Sequence, residues 1–297
     1  MNIRLGPTHE EIDARASAAD IANDEAAHQR MQLPALSSHI AHALITRSPL
    51  HAWFMHPKLN PDYREEEKAA FDLGTAAHAV FLEGAESRLG IVEADDWRTK
   101  AAKETRDSLR ASGKIPMLAR QAAQVKNMVR VAREYVAGSE IAGIFERGKP
   151  EVELRWEDGK IPCRGRLDFL ADDSATIIDY KTTGNAEPNY FGERLAPAMG
   201  YDLQAAFYLR GVQRTRLRNA RFIWLVQEVD PPYACSLVAM TPQMEDYAER
   251  KREYAVTLWA KCLHEDRWNG YPKQIAYVEL PAYAAARVDE LMELATT

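Results

Sequence analysis

Two aspartates and a lysine lie close together in the segment GRLDFLADDSATIIDYKTT, residues 165–183. Asp168 and Asp179 are predicted at the downstream ends of two successive strands, and Lys181 follows two residues after the second. Because residues two apart in an extended strand point to the same face, Asp179 and Lys181 should project together. The two strands can pair as a hairpin through residues 171–175, which would bring Asp168 to the same place.

The preceding predicted strand, EVELRW at 151–156, can add a further carboxylate, because Glu151 and Glu153 share one of its faces. Three carboxylates around one point form a hard-ligand site that suits Mg²⁺ or Mn²⁺. Such an ion can polarise a phosphodiester and lower the pKa of its bound water. A neighbouring lysine could orient that water and offset developing negative charge. The alternative is a surface salt bridge between Asp179 and Lys181, which the upstream acidic residues disfavour.

Charge is distributed unevenly along this chain of 297 residues, whose formal net charge is −6 at pH 7. Residues 98–133 contain ten Lys or Arg and two acidic residues, and residues 210–221 contain five Arg and no acidic residue. Lys126, Arg130 and Arg133 fall on one face of a predicted helix. Each run alone is typical of a solvated face. Together they favour a phosphate-binding groove beside the acidic residues.

Composition indicates an ordinary globular protein, with 46% hydrophobic and 28% charged residues. No run of apolar residues is long enough for a membrane helix, and the first residues lack the pattern of a secretion signal. Cys163, Cys235 and Cys262 lie far apart, which argues against a disulfide framework or a cysteine-rich metal site. We therefore expect a cytoplasmic protein that does not enter a membrane.

Helical and strand patterns together predict one α/β domain over residues 33–290, preceded by a helical N-terminal arm over residues 1–32. The arm begins at a capping box formed by Thr8 and Glu11. Helices are predicted over 36–56 with a break before Pro49, and over 65–84, 118–137, 200–210 and 242–263. Strands are predicted over 151–156, 163–171, 176–182, 221–229 and 233–240, and a polar tail closes the chain.

A glutamate, an aspartate and a D-x-K triplet on successive strands resemble the PD-(D/E)xK nuclease superfamily. Over residues 33–283 the chain is more specifically similar to the RecE, or exonuclease VIII, type of phage and prophage exonuclease. The motifs that carry this resemblance are LSSHIAHALITRSPLHAW, FDLGTAAHAVFLEG, EVELRW, CRGRLDFL, TIIDYKTT, GYDLQAAFYLRG, QEVDPPY and RWNGY, with Leu-Pro at 280–281. The resemblance implies a restriction-endonuclease-like core, in which helices flank a central mixed sheet.

The resemblance also implies a role for each motif residue. The metal ligands would be His78, Glu151 or its rival Glu153, Asp168, Asp179 and the backbone carbonyl of Tyr180. Lys181 would position the attacking water. Gln204 and Tyr208, four residues apart and hence on one helix face, match a QxxxY element near the scissile phosphate.

By this resemblance the protein would be a Mg²⁺-dependent exonuclease that degrades duplex DNA ends, with 5′→3′ as the expected direction, and leaves single strands for recombination. The implied partners are duplex DNA ends, a single-strand annealing protein and further copies of the chain in a ring, expected to be a tetramer. Trp259, Trp268 and Tyr271 could form subunit contacts or belong to the core.

Two alternatives remain open: a nuclease of opposite polarity or an endonuclease from the same superfamily, and a catalytically silent module that binds DNA ends. The intact set of Asp168, Asp179 and Lys181 disfavours the silent module, which has no need of it.

Overall fold

A computed structural model describes residues 33–64, 72–172, 176–216 and 219–294. They form a five-stranded mixed sheet with helices on both faces and a smaller two-stranded parallel sheet. The predicted α/β fold with a central mixed sheet is therefore confirmed. The predicted N-terminal arm lies outside the described residues, and the domain limits stay a prediction.

The longer helices and the strands are numbered in chain order. The helices are α1 (Ser38–Thr46), α2 (Pro49–Phe54), α3 (Asp72–Glu83), α4 (Lys100–Ala111), α5 (Ala119–Ala137), α6 (Tyr201–Arg216), α7 (Pro242–Glu265) and α8 (Ala282–Leu294). The strands are β1 (Leu89–Val92), β2 (Ile115–Leu118), β3 (Gly148–Asp158), β4 (Ile161–Ala171), β5 (Thr176–Thr183), β6 (Arg221–Glu228) and β7 (Cys235–Val238). A helical segment from Pro188 to Met199 precedes α6 and is π-helical over Phe191–Leu195.

Local sequence signals explain the first two helices. The Ser37 side chain accepts a hydrogen bond from the backbone N–H of Ile40 and so caps α1. Ser48 caps α2 in the same way, and Pro49 occupies the first helical position, where its missing N–H removes no helical hydrogen bond. The predicted break before Pro49 is therefore confirmed.

Three parts of the fold differ from the sequence-based expectation. The aspartates do not end their strands: Asp168 lies three residues before the end of β4, and Asp179 lies inside β5. Residues 89–117, for which no element was predicted, contain β1, α4 and all but the last residue of β2. The polar tail contains α8, whose sequence is rich in Ala, Leu and Glu, residues with high helix propensity.

The large sheet has the order β3-β4-β5-β6-β7. Strands β5 and β6 are parallel, and the other neighbours are antiparallel. The chain crosses between the two parallel strands through residues 188–216, since parallel strands need a long connection. One face of the sheet packs on α1, α2, α6 and α7, and the other packs on α3 and α5.

Strands β4 and β5 part from each other beside Asp168. Their described pairing consists of Phe169 with Ile178 and of the adjacent residue pair. Beyond this point, the residues just before α1 pair with the edge of β4 in place of β5. Leu36 N donates to the carbonyl of residue 162, and Leu36 O accepts from Arg164 N, both at 2.9 Å. The acidic residues thus lie where two strands of the sheet diverge.

The C-terminal aromatic residues have different environments. Trp259 is fully buried in the core, and Trp268 packs against it with ring centroids 5.1 Å apart. Trp259 is therefore a core residue and not a surface contact. Tyr271 is 65% exposed and lies against the ring of His51. No helix in the described parts of the chain is long and apolar enough to cross a membrane.

Candidate active site

Strand β5 presents Asp179 and Lys181 toward helix α6. Ile177 and Ile178 belong to the cores on opposite faces of the sheet, so the side chains of this strand alternate as predicted. Strand β6 pairs with every residue of β5 from Thr176 to Thr183, which holds the strand firmly. Asp179 is fully buried, and its Oδ2 lies 2.7 Å from Lys181 Nζ.

Asp168 reaches this point across the gap between β4 and β5. Its Oδ2 accepts a hydrogen bond from the backbone N–H of Tyr180 at 2.9 Å and lies 2.8 Å from His78 Nε2. The alternation of β4 breaks at this residue, because Leu167 belongs to one core and Phe169 to the other. The structure therefore brings Asp168, Asp179, Lys181 and His78 together.

Glu151 joins the cluster through an unusual backbone conformation. Its φ is 53°, in the left-handed region, while the register between β3 and β4 is the same on both sides of it. Its Oε1 lies 3.6 Å from His78 Nδ1, and its Oε2 lies 2.8 Å from Arg166 Nε. Glu153 is exposed on the strand. Of the two rival glutamates, the structure places Glu151 at the cluster.

Helix α6 supplies a polar and an aromatic side chain beside Lys181. Gln204 Nε2 donates a hydrogen bond to the hydroxyl of Tyr208 at 3.0 Å, as expected for residues on one helix face. The buried Oε1 of Gln204 has no partner among the described residues. Burial raises the pKa of Tyr208, and the nearby charges of Asp179 and Asp168 raise it further. The phenol therefore stays protonated at neutral pH.

Tyr201 is a neighbour of the site that sequence reasoning missed. Lys181 Nζ lies 4.8 Å from the centroid of the Tyr201 ring, which stacks on Phe191 at 6.0 Å. The signal was present in the motif GYDLQAAFY, because Tyr201 lies three residues before Gln204 and so shares its helix face.

The acidic groups have unequal proton affinities. Burial raises the pKa of Asp179 to about 6, and the charge of Asp168 adds to this, although Lys181 opposes both. Burial also favours protonation of Asp168. The hydrogen bond from His78 and the charge of Lys181 outweigh that effect, so the pKa of Asp168 is lowered.

The pKa values of the two basic groups of the cluster are both raised. Burial alone would lower the pKa of Lys181, but the charges of Asp179 and Asp168 raise it above its ordinary value. Burial likewise opposes charge on His78, yet its hydrogen bond with Asp168 and the charges of Asp168 and Glu151 raise its pKa. Lys181 is therefore a donor and a positive charge, not a base.

This donor set fits a hard divalent cation. Asp179 Oδ1 is buried and has no hydrogen-bond donor among the described residues, which is costly for a carboxylate unless a cation meets it. Carboxylate oxygens are the ligands that suit Mg²⁺ or Mn²⁺. His78, Glu83 and Glu151 also offer ligand atoms within 4.8 Å of one another. Glu83, at the end of α3, was not predicted, and it also contacts Arg88 at 3.0 Å.

The first basic run forms part of an exposed helix surface. Lys126, Arg130 and Arg133 lie on the exposed side of α5, as predicted, while the opposite side packs in the core. Arg130 makes an ion pair with Glu134 at 2.9 Å. Within the described chain, none of the three basic residues contacts the acidic cluster.

Several arginines of the second basic run form ion pairs within the protein. Arg210 and Arg214 lie 3.0 and 3.6 Å from Asp158, which also contacts the buried Arg252. Arg221 lies 3.4 Å from Glu140. These ion pairs weaken the expectation that this run forms a free phosphate-binding surface.

Comparisons with known proteins agree with this fold. An exonuclease candidate from Eubacterium rectale has a similar structure, with a TM-score of 0.56 and 10% identity over 94% of this chain and 97% of that chain. The protein SSO0001 gives a TM-score of 0.27 with 16% identity, covering 66% of this chain and 88% of its own. A phage-related exonuclease from Haemophilus somnus 129PT gives 0.29 with 12% identity, covering 64% and 95%. The last two scores are too low to support a common fold.

No curated protein matches the sequence. A family model described as a PDDEXK-like domain of unknown function (DUF3799) matches residues 47–281, which include every residue of the acidic cluster. The chain therefore belongs to this PDDEXK-like family.

Proposed function

We propose that this protein is a divalent-metal-dependent deoxyribonuclease. The observation that carries the proposal is the fully buried Asp179, whose Oδ1 meets no donor in the described structure and whose Oδ2 contacts Lys181. A carboxylate that served only packing or an ion pair would have both oxygens satisfied. Membership of a PDDEXK-like family supports the same activity.

In the proposed reaction, Mg²⁺ or Mn²⁺ would be held by Asp168, Asp179, Glu151 and His78, and the carbonyl of Tyr180 would be an additional ligand. Such an ion would polarise the scissile phosphodiester and lower the pKa of a bound water. The Asp168 carboxylate is fixed for this role by the backbone N–H of Tyr180.

Lys181 would act through its charge and its hydrogens. Its raised pKa keeps the ammonium protonated at neutral pH, so it orients the attacking water and offsets negative charge on the phosphate. Asp179 and the Tyr201 ring hold the ammonium from two sides. The protonated Tyr208 hydroxyl, which Gln204 orients, is available to donate to a phosphate oxygen.

The finer assignment rests on the resemblance to RecE-type exonucleases. We propose Mg²⁺ as the ion, duplex DNA ends as the substrate and 5′→3′ as the direction, with the single strands passing to an annealing protein for recombination. The exposed Lys126 and Arg133 would contact DNA phosphates, together with Arg130 once it leaves Glu134. A ring of identical subunits would keep the enzyme on its substrate.

The test uses linear duplex DNA labelled at either the 5′ or the 3′ end, and closed circular DNA, each with Mg²⁺ or EDTA. Asp179→Ala should abolish cleavage, and Lys181→Ala should slow it roughly 10²–10³-fold, since each removes charge that acts on the reacting phosphate. Asp172→Ala and Lys160→Ala are matched controls on exposed positions of the same hairpins and should leave the rate unchanged.

Each alternative gives a different result in this experiment. Early release of the 5′ label from linear DNA, with intact circles, supports the proposed exonuclease, whereas early release of the 3′ label indicates the opposite polarity. Linearised circles indicate an endonuclease. DNA binding without metal-dependent cleavage indicates the silent end-binding module. Wild-type turnover in either active-site variant contradicts the assigned site.

A further inference from the structure

A second concave site lies at the far end of the β3–β4 hairpin. A cavity of about 300 Å³ is bordered by cationic side chains from two separate parts of the chain, Lys58 after α2 and Arg155 and Arg164 on the hairpin. Apolar residues, among them Pro162, form much of its remaining lining. An apolar cavity of this size with a few convergent polar groups is typical of a small-ligand site.

The two arginines have an unfavourable arrangement in the free protein. Arg155 and Arg164 are directly paired across the antiparallel strands, so their Cβ atoms lie about 5 Å apart. Like charges in opposed positions destabilise a sheet. Among the described residues, no carboxylate forms an ion pair with Arg155, Arg164 or Lys58. The lining includes one acidic residue, Glu157, against these three cations.

The cavity also contains a buried histidine beside its cationic side chains. His56 lines the same cavity and is 2% exposed. Its pKa is lowered chiefly by burial; its hydrogen bond with the carbonyl of Ala35 opposes this effect, and the charges of Arg164 and Lys58 add to it. Its Nδ1 accepts from the backbone N–H of Lys58 at 3.2 Å, which requires the neutral ring. The histidine therefore supplies no further charge.

The cavity lies on the same strands as the acidic cluster. Arg164 precedes Asp168 by four residues on β4, and Arg155 follows Glu151 by four residues on β3, a separation of about 13 Å along each strand. Between them stands Arg166, 68% exposed and bound to Glu151. Arg166 thus provides one exposed cationic side chain between the cavity and the acidic cluster, opposite Glu153 on β3.

We propose that this cavity binds a nucleotide of a single DNA strand that extends beyond the scissile phosphate, with its phosphate on Arg155, Arg164 and Lys58. The inference rests on the proposed function and names a further part of its substrate. The phosphate would supply the counter-charge that the opposed arginines lack, and guanidinium groups bind phosphate through paired hydrogen bonds. The cavity is too small for a duplex, and its apolar lining suits an unstacked base.

The test measures binding of fluorescent DNA by anisotropy in EDTA, which separates binding from cleavage. Two probes are compared, a blunt duplex and the same duplex with a short single-stranded extension. For the extended probe, Arg155→Gln with Arg164→Gln should weaken binding several-fold. It should also reduce the slope of log affinity against log salt by up to about 0.7, because the site binds one phosphate and each lost single-strand phosphate contact contributes about 0.7. Binding of the blunt probe should change little.

Two further variants complete the test. Lys273→Gln with Arg287→Gln removes the same charge from exposed positions of the C-terminal segment and should leave the preference for the extended probe unchanged. Arg155→Lys with Arg164→Lys keeps the charge and should retain the salt slope. The Gln pair should not lower the melting temperature, because it removes a repulsion; if it does, Lys58→Gln provides the same binding test from outside the sheet.

The outcomes are distinct from those of the cleavage assay. An unchanged affinity for the extended probe, or equal weakening for both probes, overturns the nucleotide site even if the protein cleaves DNA. Weaker binding of the extended probe alone supports the site even if no cleavage is found. In that case the proposed nuclease activity is contradicted, but the nucleotide site is not.

Discussion

At the scale of single residues, the candidate site contains groups whose burial or backbone conformation is costly for the stability of the fold. Asp179 is fully buried with one carboxylate oxygen facing no donor among the described residues, and its pKa is raised to about 6 because burial disfavours its charge. Glu151 holds a backbone conformation that side chains other than glycine seldom adopt. Such local costs are typical of positions that serve binding or catalysis.

Glu151 allows a direct measurement of this cost. In an ordinary strand, Gly is less stable than Ala by about 0.5–1 kcal/mol. At φ 53° the order should reverse, because an L side chain in the left-handed region costs about 1–2 kcal/mol. We therefore expect Glu151→Gly to have a larger free energy of unfolding than Glu151→Ala in urea titration, and both variants to lose cleavage.

The matched control is the neighbouring glutamate on the same strand. Glu153 is exposed and its φ is not positive, so Glu153→Gly should be less stable than Glu153→Ala. Should Gly and Ala rank in the same order at both positions, the strained conformation of Glu151 would be contradicted.

At the scale of elements, the site depends on how closely helix α6 lies against strand β4. Tyr208 on α6 packs over Gly165, and a Cβ atom added at Gly165 would lie 2.9 Å from Tyr208 Cε1. Glycine therefore permits the close approach that places Gln204 and Tyr208 beside Lys181. The same helix carries Tyr201, so one rigid element positions three side chains at once.

Gly165→Ala should destabilise the protein by about 1–3 kcal/mol, the usual cost of overpacking a well-filled core. It should also lower the cleavage rate, because the Tyr208 ring must move away from β4. Gly184→Ala is the control, since a Cβ there meets no atom within 4 Å and its backbone needs no positive φ. Thermal melting and cleavage kinetics measure both effects; equal stability of the two variants would contradict the close packing.

At the scale of the whole molecule, the C-terminal segment exposes an unusual amount of apolar surface. Tyr277, Val278 and Tyr283 are 92%, 90% and 81% exposed, and α8 has no buried residue. Large exposed apolar surfaces on soluble proteins often mark sites of protein association. This segment is therefore the surface that we expect to mediate the proposed association of identical subunits.

We expect size-exclusion chromatography with light scattering to give a tetramer of the 33.5 kDa chain. Val278→Asp with Tyr283→Asp should lower that mass, because the charges would be buried without partners in the subunit contact. Ile91→Asp is the control, since this residue is half exposed on β1, far along the chain from the C-terminal segment. A monomeric wild-type protein across micromolar concentrations would rule out the ring.

The sequence alone determined the features that depend on local periodicity. The alternation of β5 places Asp179 and Lys181 on one face, and the helical repeat places Gln204 beside Tyr208, as the structure has them. The order of helices and strands likewise predicted an α/β domain, because each element buries its own apolar stripe or face, whereas the central mixed sheet was implied by the resemblance to PD-(D/E)xK nucleases.

Features that depend on contacts between residues far apart in sequence were determined only by the tertiary structure. The backbone conformation of Glu151 and its contact with His78 on another element place this residue, and not Glu153, beside the acidic cluster. From the sequence alone, Arg210 was expected to belong to a phosphate-binding surface. In the structure it pairs with Asp158, which is 52 residues away in sequence. Such pairings arise from the way strands and helices are brought together, so no local pattern of residue types can encode them.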